Sequence, residues 1–487
     1  MMTIIVSPRR GVTNRRGLRL GAVLAGALLI GACDFDITNT NAPTVDRLTG
    51  SPTREVLATA ATGIFANAFE DVGTEIQYYA IYGREGYNLD GNDPRETGEQ
   101  IAGPQNATAR NSAIWADQYN AIRTINTYLA ALPNATGLTE AEVRASAGFA
   151  KTLKAWHFHR LAIRTGEYGI PIDVDREITE EPAPFVSFAD AMAAVSALLD
   201  EAYADLQAAG AASFPFTPAP GFDGFDTPAT FAQFNRALAA KVLVHRATFV
   251  DCATCWAEAA AALDDSFITD GGLPASLALG VYYGYTGAAN EPVNPVSEPL
   301  SSNRFWVHPS IVTGAQTRAD GSPDLRLTTK VMDAGRVHEH NDLVATHKPV
   351  MYNDPADPTR PNPGAWVPWI TNEELLLLRA EIRWHNGDKP GAIADLDLVR
   401  QHAGGLEPSS LTTGSTDDEF IDELLYNRLY SLMWSQGTRW MDARRYDRLD
   451  ELPIDREGDK VFTSMLVPGN ECTARGLNVP CEPLTES

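Results

Sequence analysis

The sequence predicts a mainly α chain: a scaffold of helical hairpins that carries an irregular, loop-rich second lobe. Three observations predict it. Helix start signals recur through residues 53–264 and again through 370–450. One helical segment, Leu375-Leu376-Leu377-Leu378 with Ala380 and Ile382, is apolar around more than one face, so it needs burial on two sides, as in stacked hairpins. Between these regions, at about 265–369, Gly, Pro, Asn, Ser and aromatic residues displace the helical period.

Residues 53–70 read as an alanine-rich amphipathic helix. Residues 109–133 read as a second, with Ile114, Tyr119, Ile122, Tyr128 and Leu129 available for burial. Thr139 with Glu142 is a capping box, and Leu138 with Val143 is placed as a hydrophobic staple; the helix they open runs to about Arg164. Ser187 and Thr227-Pro228 open two more, Pro228 fitting the first helical position. Residues 372–386 and 391–402 pair around Gly387-Asp388-Lys389-Pro390, glycine stopping one helix and proline starting the next. Thr416 with Glu419 caps a helix through Met433. Stretches 71–108, 166–186 and 211–226 read as irregular, and long irregular segments on such a scaffold are more often functional than accidental.

Leu20–Cys33 is an apolar run behind Arg9, Arg10, Arg15, Arg16 and Arg19, with no acidic residue ahead of it. It is shorter than the roughly 20 apolar residues a membrane-spanning helix needs, and it reads as an export signal. Leu29-Ile30-Gly31-Ala32-Cys33 resembles a bacterial lipobox, which implies a leader at 1–32, a lipidated Cys33 and a tether over 33–52. The alternative is an ordinary signal peptide that ends near a cysteine. Losing the leader's five arginines lowers the formal net charge from -24 to -29. So acidic a surface argues against nucleic acid and against electrostatic adhesion to anionic lipid, leaving the lipid anchor as the membrane attachment. No second apolar stretch of spanning length follows Cys33.

With Cys33 set aside, Cys252/Cys255 and Cys472/Cys481 remain as two sequence-close pairs. In an exported chain these point to structural disulfides. A redox CxxC or half of a zinc site is the alternative for Cys252 and Cys255, but no thioredoxin-like βαβ context supports the first.

Signals for catalysis are thin. His157 and His159 fall on different faces of a helix. His338-Glu339-His340 lacks the HExxH spacing, and no GxSxG, P-loop or supported GxGxxG occurs. A glycosidase pair could be drawn from 63 acidic residues, but abundance decides nothing. No cofactor or metal is expected.

Binding signals are better. Residues 77–95 set Tyr78, Tyr79, Tyr82 and Tyr87 among Arg84, Asn88, Asp90 and Asn92 on a glycine-punctuated stretch. Tyr282, Tyr283 and Tyr285, joined by Phe305, Trp306 and His308, make a second patch. Aromatic faces for stacking and an Asn/Asp/Arg rim for hydroxyls or amides are what a sugar or peptide site needs. The expected ligand-binding residues are Tyr79, Tyr82, Arg84, Tyr87, Asn88, Asp90, Asn92, Tyr283, Tyr285 and Trp306. Arg428, Arg439, Asp442, Arg444 and Arg445 with Trp434 and Trp440 read instead as charges paired between helices, their guanidinium planes on indoles.

Leu424-Leu425-Tyr426-Asn427-Arg428-Leu429 followed by Gly437-Thr438-Arg439-Trp440-Met441-Asp442-Ala443-Arg444-Arg445-Tyr446 resembles the C-terminal signature of the SusD/RagB family of nutrient-binding outer-membrane lipoproteins. Glu374–Glu381 with Ala392 and Asp397–Arg400, and Tyr168-Gly169-Ile170-Pro171-Ile172, are similar to that family too. Ser431 and Ser435-Gln436-Gly437 depart from it, standing where the family signature has a glutamate and an acidic Glu-Gly. The resemblance implies a SusD-like domain over 53–487: a tetratricopeptide-like helical hairpin scaffold with an irregular ligand-binding lobe, not an enzyme. It implies ligand contacts from the two aromatic stretches. It further implies a surface-exposed outer-membrane lipoprotein that binds an oligomeric glycan or peptide and delivers it to a TonB-dependent SusC-like transporter. A glycan-active hydrolase on a helical scaffold and a tetratricopeptide-type interaction scaffold are the alternatives.

Overall fold

The computed structural model describes residues 48, 50–107, 110–177, 179–435 and 438–484; the leader and Cys33 lie outside them. The described residues belong to one unit, Ala42–Ser487. Its first part holds α1 (Arg54–Phe69), α2 (Val72–Tyr82), β1 (Gly86–Asn88), α3 (Arg110–Ala131), α4 (Glu140–Thr165), α5 (Phe188–Ala209), α6 (Pro228–Phe249) and α7 (Cys255–Asp264). The middle holds β2 (Gly280–Tyr283), β3 (Phe305–Val307), α8 (Pro309–Thr313), α9 (Leu325–Lys330), β4 (Val331–His340), β5 (Leu343–Pro349), β6 (Asn353–Asp354), β7 (Asp357–Pro361) and β8 (Val367–Thr371). The chain then returns to helix in α10 (Asn372–His385), α11 (Lys389–His402), α12 (Asp417–Leu432), α13 (Thr438–Arg445) and α14 (Gly469–Ala474). The protein is mainly α, a scaffold of tetratricopeptide-like helical hairpins with a loop-rich second lobe.

Side-chain caps set the helix starts. Thr139 Oγ1 accepts from Glu142 N at 3.3 Å while the Glu142 carboxylate accepts from Thr139 N at 2.8 Å. Thr416 and Glu419 form the same box at 3.2 and 2.8 Å. Each such cap is worth about 1 kcal/mol and fixes where the chain enters the helix. Two helices arise where the sequence carries no start signal. α2 occupies part of the stretch read as irregular, without a side-chain cap and buried nearly all round, so it has neither a cap nor an amphipathic stripe to announce it. α7 likewise begins at Thr254 without a side-chain cap.

Helices adjacent in sequence pack on one another through α3, α4, α5, α6 and α7. α4 and α5 approach closely at Gly148, where a Cβ would lie 2.5 Å from Leu206 Cγ. The leucine-rich α10 is buried on two sides, as its pattern requires. Leu375, Leu378 and Ile382 enter the main core, while Leu376, Leu377, Ala380 and Trp384 pack with Leu396, Val399, Phe420 and Leu424 of α11 and α12.

The second lobe is built of two-stranded antiparallel pairs, β1–β3, β2–β8, β4–β5 and β6–β7, rather than irregular chain throughout. Trp369 on β8 locks it to the scaffold: its ring stacks on Tyr283 at 4.5 Å and meets Trp156, Phe222 and Phe234 within 5.7 Å. Both cysteine pairs are bonded, Cys252–Cys255 and Cys472–Cys481.

The C-terminal helices are joined by buried charge. Asp442 of α13 accepts from Arg428 Nε of α12 and from Arg445 Nε, each at 2.8 Å. Arg445 also grips Glu381 of α10 with both terminal nitrogens, and Tyr446 donates to Glu381 at 2.6 Å. Burial pushes the Glu381 carboxyl up, but the Arg445 and Arg428 guanidiniums and the Tyr446 hydroxyl together outweigh it and hold Glu381 below the usual range. Arg445→Met would leave the buried Glu381 carboxylate without its cation, an expected loss of about 3–5 kcal/mol read by chemical denaturation. Because the folded-state value for Glu381 is depressed, this group's contribution is complete above the ordinary glutamate pKa of about 4.3 and lost as pH falls below it. The gap between wild type and variant is therefore expected to shrink in acid.

Candidate functional site

The structure brings the two predicted aromatic stretches together, and it buries them. Tyr87 of β1 pairs across the strands with Trp306 of β3, and every residue of both strands is buried. Trp306 is fully enclosed, with the His338 ring stacked at 5.0 Å and the Arg336 and Lys348 cations over its ring at 4.8 and 4.6 Å. Tyr79 and Tyr82 lie on α2, not on a loop, and pack against Trp440 at 5.6 and 5.2 Å. Tyr283 and Tyr285 meet Phe69 within 5.8 Å. These rings therefore correct the expectation: Tyr79, Tyr82, Tyr87, Tyr283, Tyr285 and Trp306 are all buried, and their faces are taken up by the core. Asn88 is buried as well, whereas Asp90 is half-buried and Asn92 exposed. Those last residues hold one another in turns, Asn88 Oδ1 accepting from Asp90 N at 3.3 Å and Asp90 Oδ1 from Asn92 N at 2.9 Å.

Arg84 is also interior. Its guanidinium donates to Ile81 O at 2.8 Å, Lys460 O at 2.7 Å and Pro453 O at 3.2 Å, with Asp455 at 3.6 Å. Asp455 in turn accepts from Tyr87 OH and bonds His308 Nε2, both at 2.9 Å. The neighbouring Glu85 accepts from Trp434 N at 2.6 Å and from Arg439 N at 3.3 Å, and Arg439 donates back to Arg84 O at 2.8 Å. Gly86 is required here: a Cβ would sit 2.4 Å from the Trp434 ring. Residues 84–88 thus form a clasp between the start and the end of the domain, not a ligand loop.

Two clefts remain. The larger, about 580 Å³, lies between residues 94–107 and Leu466, Val479 and Pro480, and none of its lining residues is aromatic. The second, about 400 Å³, lies in the loop-rich lobe beside the start of α10. Tyr282, Tyr352, Trp366, Lys330, Glu373 and Ser435 are among its walls. Tyr282 and Trp366 stand 5.9 Å apart with ring planes at 46°. Their polar ends are tied back to the main chain: Tyr282 OH donates to Ala278 O, and Trp366 Nε1 to Tyr285 O at 3.1 Å. Trp366 nonetheless keeps 39% of its surface exposed. A fixed aromatic pair in a concave, mixed-polarity cleft is the arrangement that stacking of a ring requires. The sequence places Tyr282 in the second patch but not among the expected ligand-binding residues, and it does not point to Trp366 or Glu373. An aromatic in a Pro-Gly-Ala-Trp turn was the available signal.

The histidines make separate, interior contacts, His157 with Gln118 at 2.6 Å and His159 with His245 at 3.1 Å. Among the described residues no group of three or more His, Cys, Asp or Glu is placed to hold a metal ion. The arginine cluster is structural as expected, Arg444 lying 4.4 Å over the Trp440 ring.

No family model and no curated protein matches the sequence. Solved structures do match. A SusD homolog from Bacteroides thetaiotaomicron superposes with a TM-score of 0.67 at 13% identity, over 91% of this chain and 98% of that one. A SusD superfamily protein from Bacteroides vulgatus gives 0.63 at 16%, over 88% and 98%. A laminarin binding SusD-like protein gives 0.61 at 15%, over 87% and 98%. The chain has the SusD fold.

Within that SusD-like frame, the stretch that resembles the family's C-terminal signature forms the α12–α13 charge network and one side of the 84–88 clasp. Ser431, which replaces a glutamate of the signature, accepts from Arg326 Nη1 at 3.0 Å, and the charge partner of Arg326 is Asp324 at 2.6 Å. The departure therefore leaves that arginine paired. Trp306→Ala is expected to cost about 3–5 kcal/mol because its ring is enclosed. Trp366→Ala is expected to cost no more than about 1 kcal/mol, since a half-open surface ring creates little cavity. Thermal and chemical denaturation of the two variants check this.

Proposed function

We propose that this chain is a SusD/RagB-family capture lipoprotein that holds an oligomeric nutrient, most simply a glycan, in the Tyr282–Trp366 cleft and does not cleave it. The observation that carries the reading is the cleft-lining aromatic pair on a chain that matches the SusD fold over 91% of its length. One of the structural neighbours is described as laminarin binding, which favours a glycan over a peptide. The rest follows from the sequence and the family it resembles: residues 1–32 are the leader, Cys33 carries the lipid, 33–52 form the tether, and, as that resemblance implies, the domain over 53–487 faces outward on the outer membrane. No described helix is long and apolar enough to cross a membrane, so several acyl chains on Cys33 are the durable attachment. The captured ligand passes to a TonB-dependent SusC-like transporter that the lipoprotein accompanies.

Two measurements test this. In titration calorimetry the mature protein is expected to bind a neutral oligosaccharide and leave its length unchanged. Trp366→Ala is expected to weaken that binding about tenfold, the loss of one stacking face, or about 1.4 kcal/mol. Turnover of the oligosaccharide, abolished by a single carboxylate substitution, would instead support a hydrolase. In cell fractionation Cys33→Ser is expected to move the protein out of the membrane fraction.

A further inference from the structure

We propose that Glu373 sets the specificity of the Tyr282–Trp366 cleft, which takes neutral, hydroxyl-rich saccharides and excludes acidic ones. The inference rests on the capture function proposed above and narrows its ligand. Glu373 stands in the first turn of α10 and lines the cleft. Its Oε1 is buried without a hydrogen-bond partner. The charged groups around it are engaged elsewhere. Glu374 pairs with Lys241 at 2.9 Å, and Lys330 Nζ donates to the carbonyls of Tyr430 and Ser431 at 2.8 and 2.5 Å. The Glu373 charge reaches both neighbours: it adds to the burial that pushes the Tyr282 phenol up to about 12, and it works against the burial that lowers Lys330.

A carboxylate beside a stacking pair accepts hydrogen bonds from the hydroxyls at a sugar's rim. The same group meets a uronate or sulfate held on those rings with like charge, in a cleft where water screens less than in bulk. Rejection by a built-in repulsive group is an established way to specificity. The chain's formal net charge of -24 adds a long-range repulsion, but salt screens that term and leaves the local one.

The test uses the full mature protein at 0.15 M salt. Its probes are gluco-, manno- and xylo-hexasaccharides with glucuronate and mannuronate hexamers, read by calorimetry. Wild type is expected to bind at least one neutral hexamer ten times or more as tightly as the acidic ones. Glu373→Gln is expected to reduce that ratio at least tenfold with its unfolding temperature nearly unchanged. A ratio that Glu373→Gln leaves in place, or acidic hexamers bound by wild type as tightly as neutral ones, would overturn the inference and leave the capture reading standing. Binding of none of the probes by wild type would overturn both.

Discussion

The constraint on which the rest of the structure depends is the burial of Arg84 and Glu85. Two charges leave water at the turn after α2, and each must find partners among segments more than 300 residues away. Arg84 finds the carbonyls of Pro453 and Lys460 and the Asp455 carboxylate; Glu85 finds the amides of Trp434 and Arg439. Because unpaired buried charge is so costly, these contacts form together or not at all. They fix β1, and β1 fixes β3 and the floor of the second lobe.

From that clasp the division of labour follows. α10 is buried on two faces and ties the main core to the C-terminal helices, where Arg445, Glu381, Asp442 and Arg428 complete the joint. Trp369 and Tyr283 hold the lobe from its other side. With both edges pinned, the β2–β8 pair presents Tyr282, on β2, and Trp366, just before β8, in a fixed relation, their polar ends tied to backbone. A site held this way loses little freedom when a ring stacks on it.

Much of the architecture was legible because its signals are local. The boxes at Thr139–Glu142 and Thr416–Glu419, Pro228, and the two-sided apolar character of Leu375–Leu378 each state their own structural consequence. The candidate site was not legible, for a physical reason. Tyr79, Tyr82, Tyr87 and Trp306 carry the same chemistry as a sugar platform, and only partners distant in sequence, such as Trp440 and His338, show that their faces are covered. Trp366 carries that chemistry too, and its exposure is decided by a cleft that no short segment encodes. α2 escaped notice because a helix buried all round has no stripe.

The central claim is that ligand is held in the second-lobe cleft while the tyrosine-rich 77–95 stretch is structural. Hydrogen–deuterium exchange with and without a bound neutral hexasaccharide tests it most directly. The account predicts new protection over residues 274–284 and 364–374, with 77–89, buried throughout, already protected in the free protein and 77–95 unchanged by ligand. Ligand-dependent protection confined to 77–95, with none at the cleft, would contradict it.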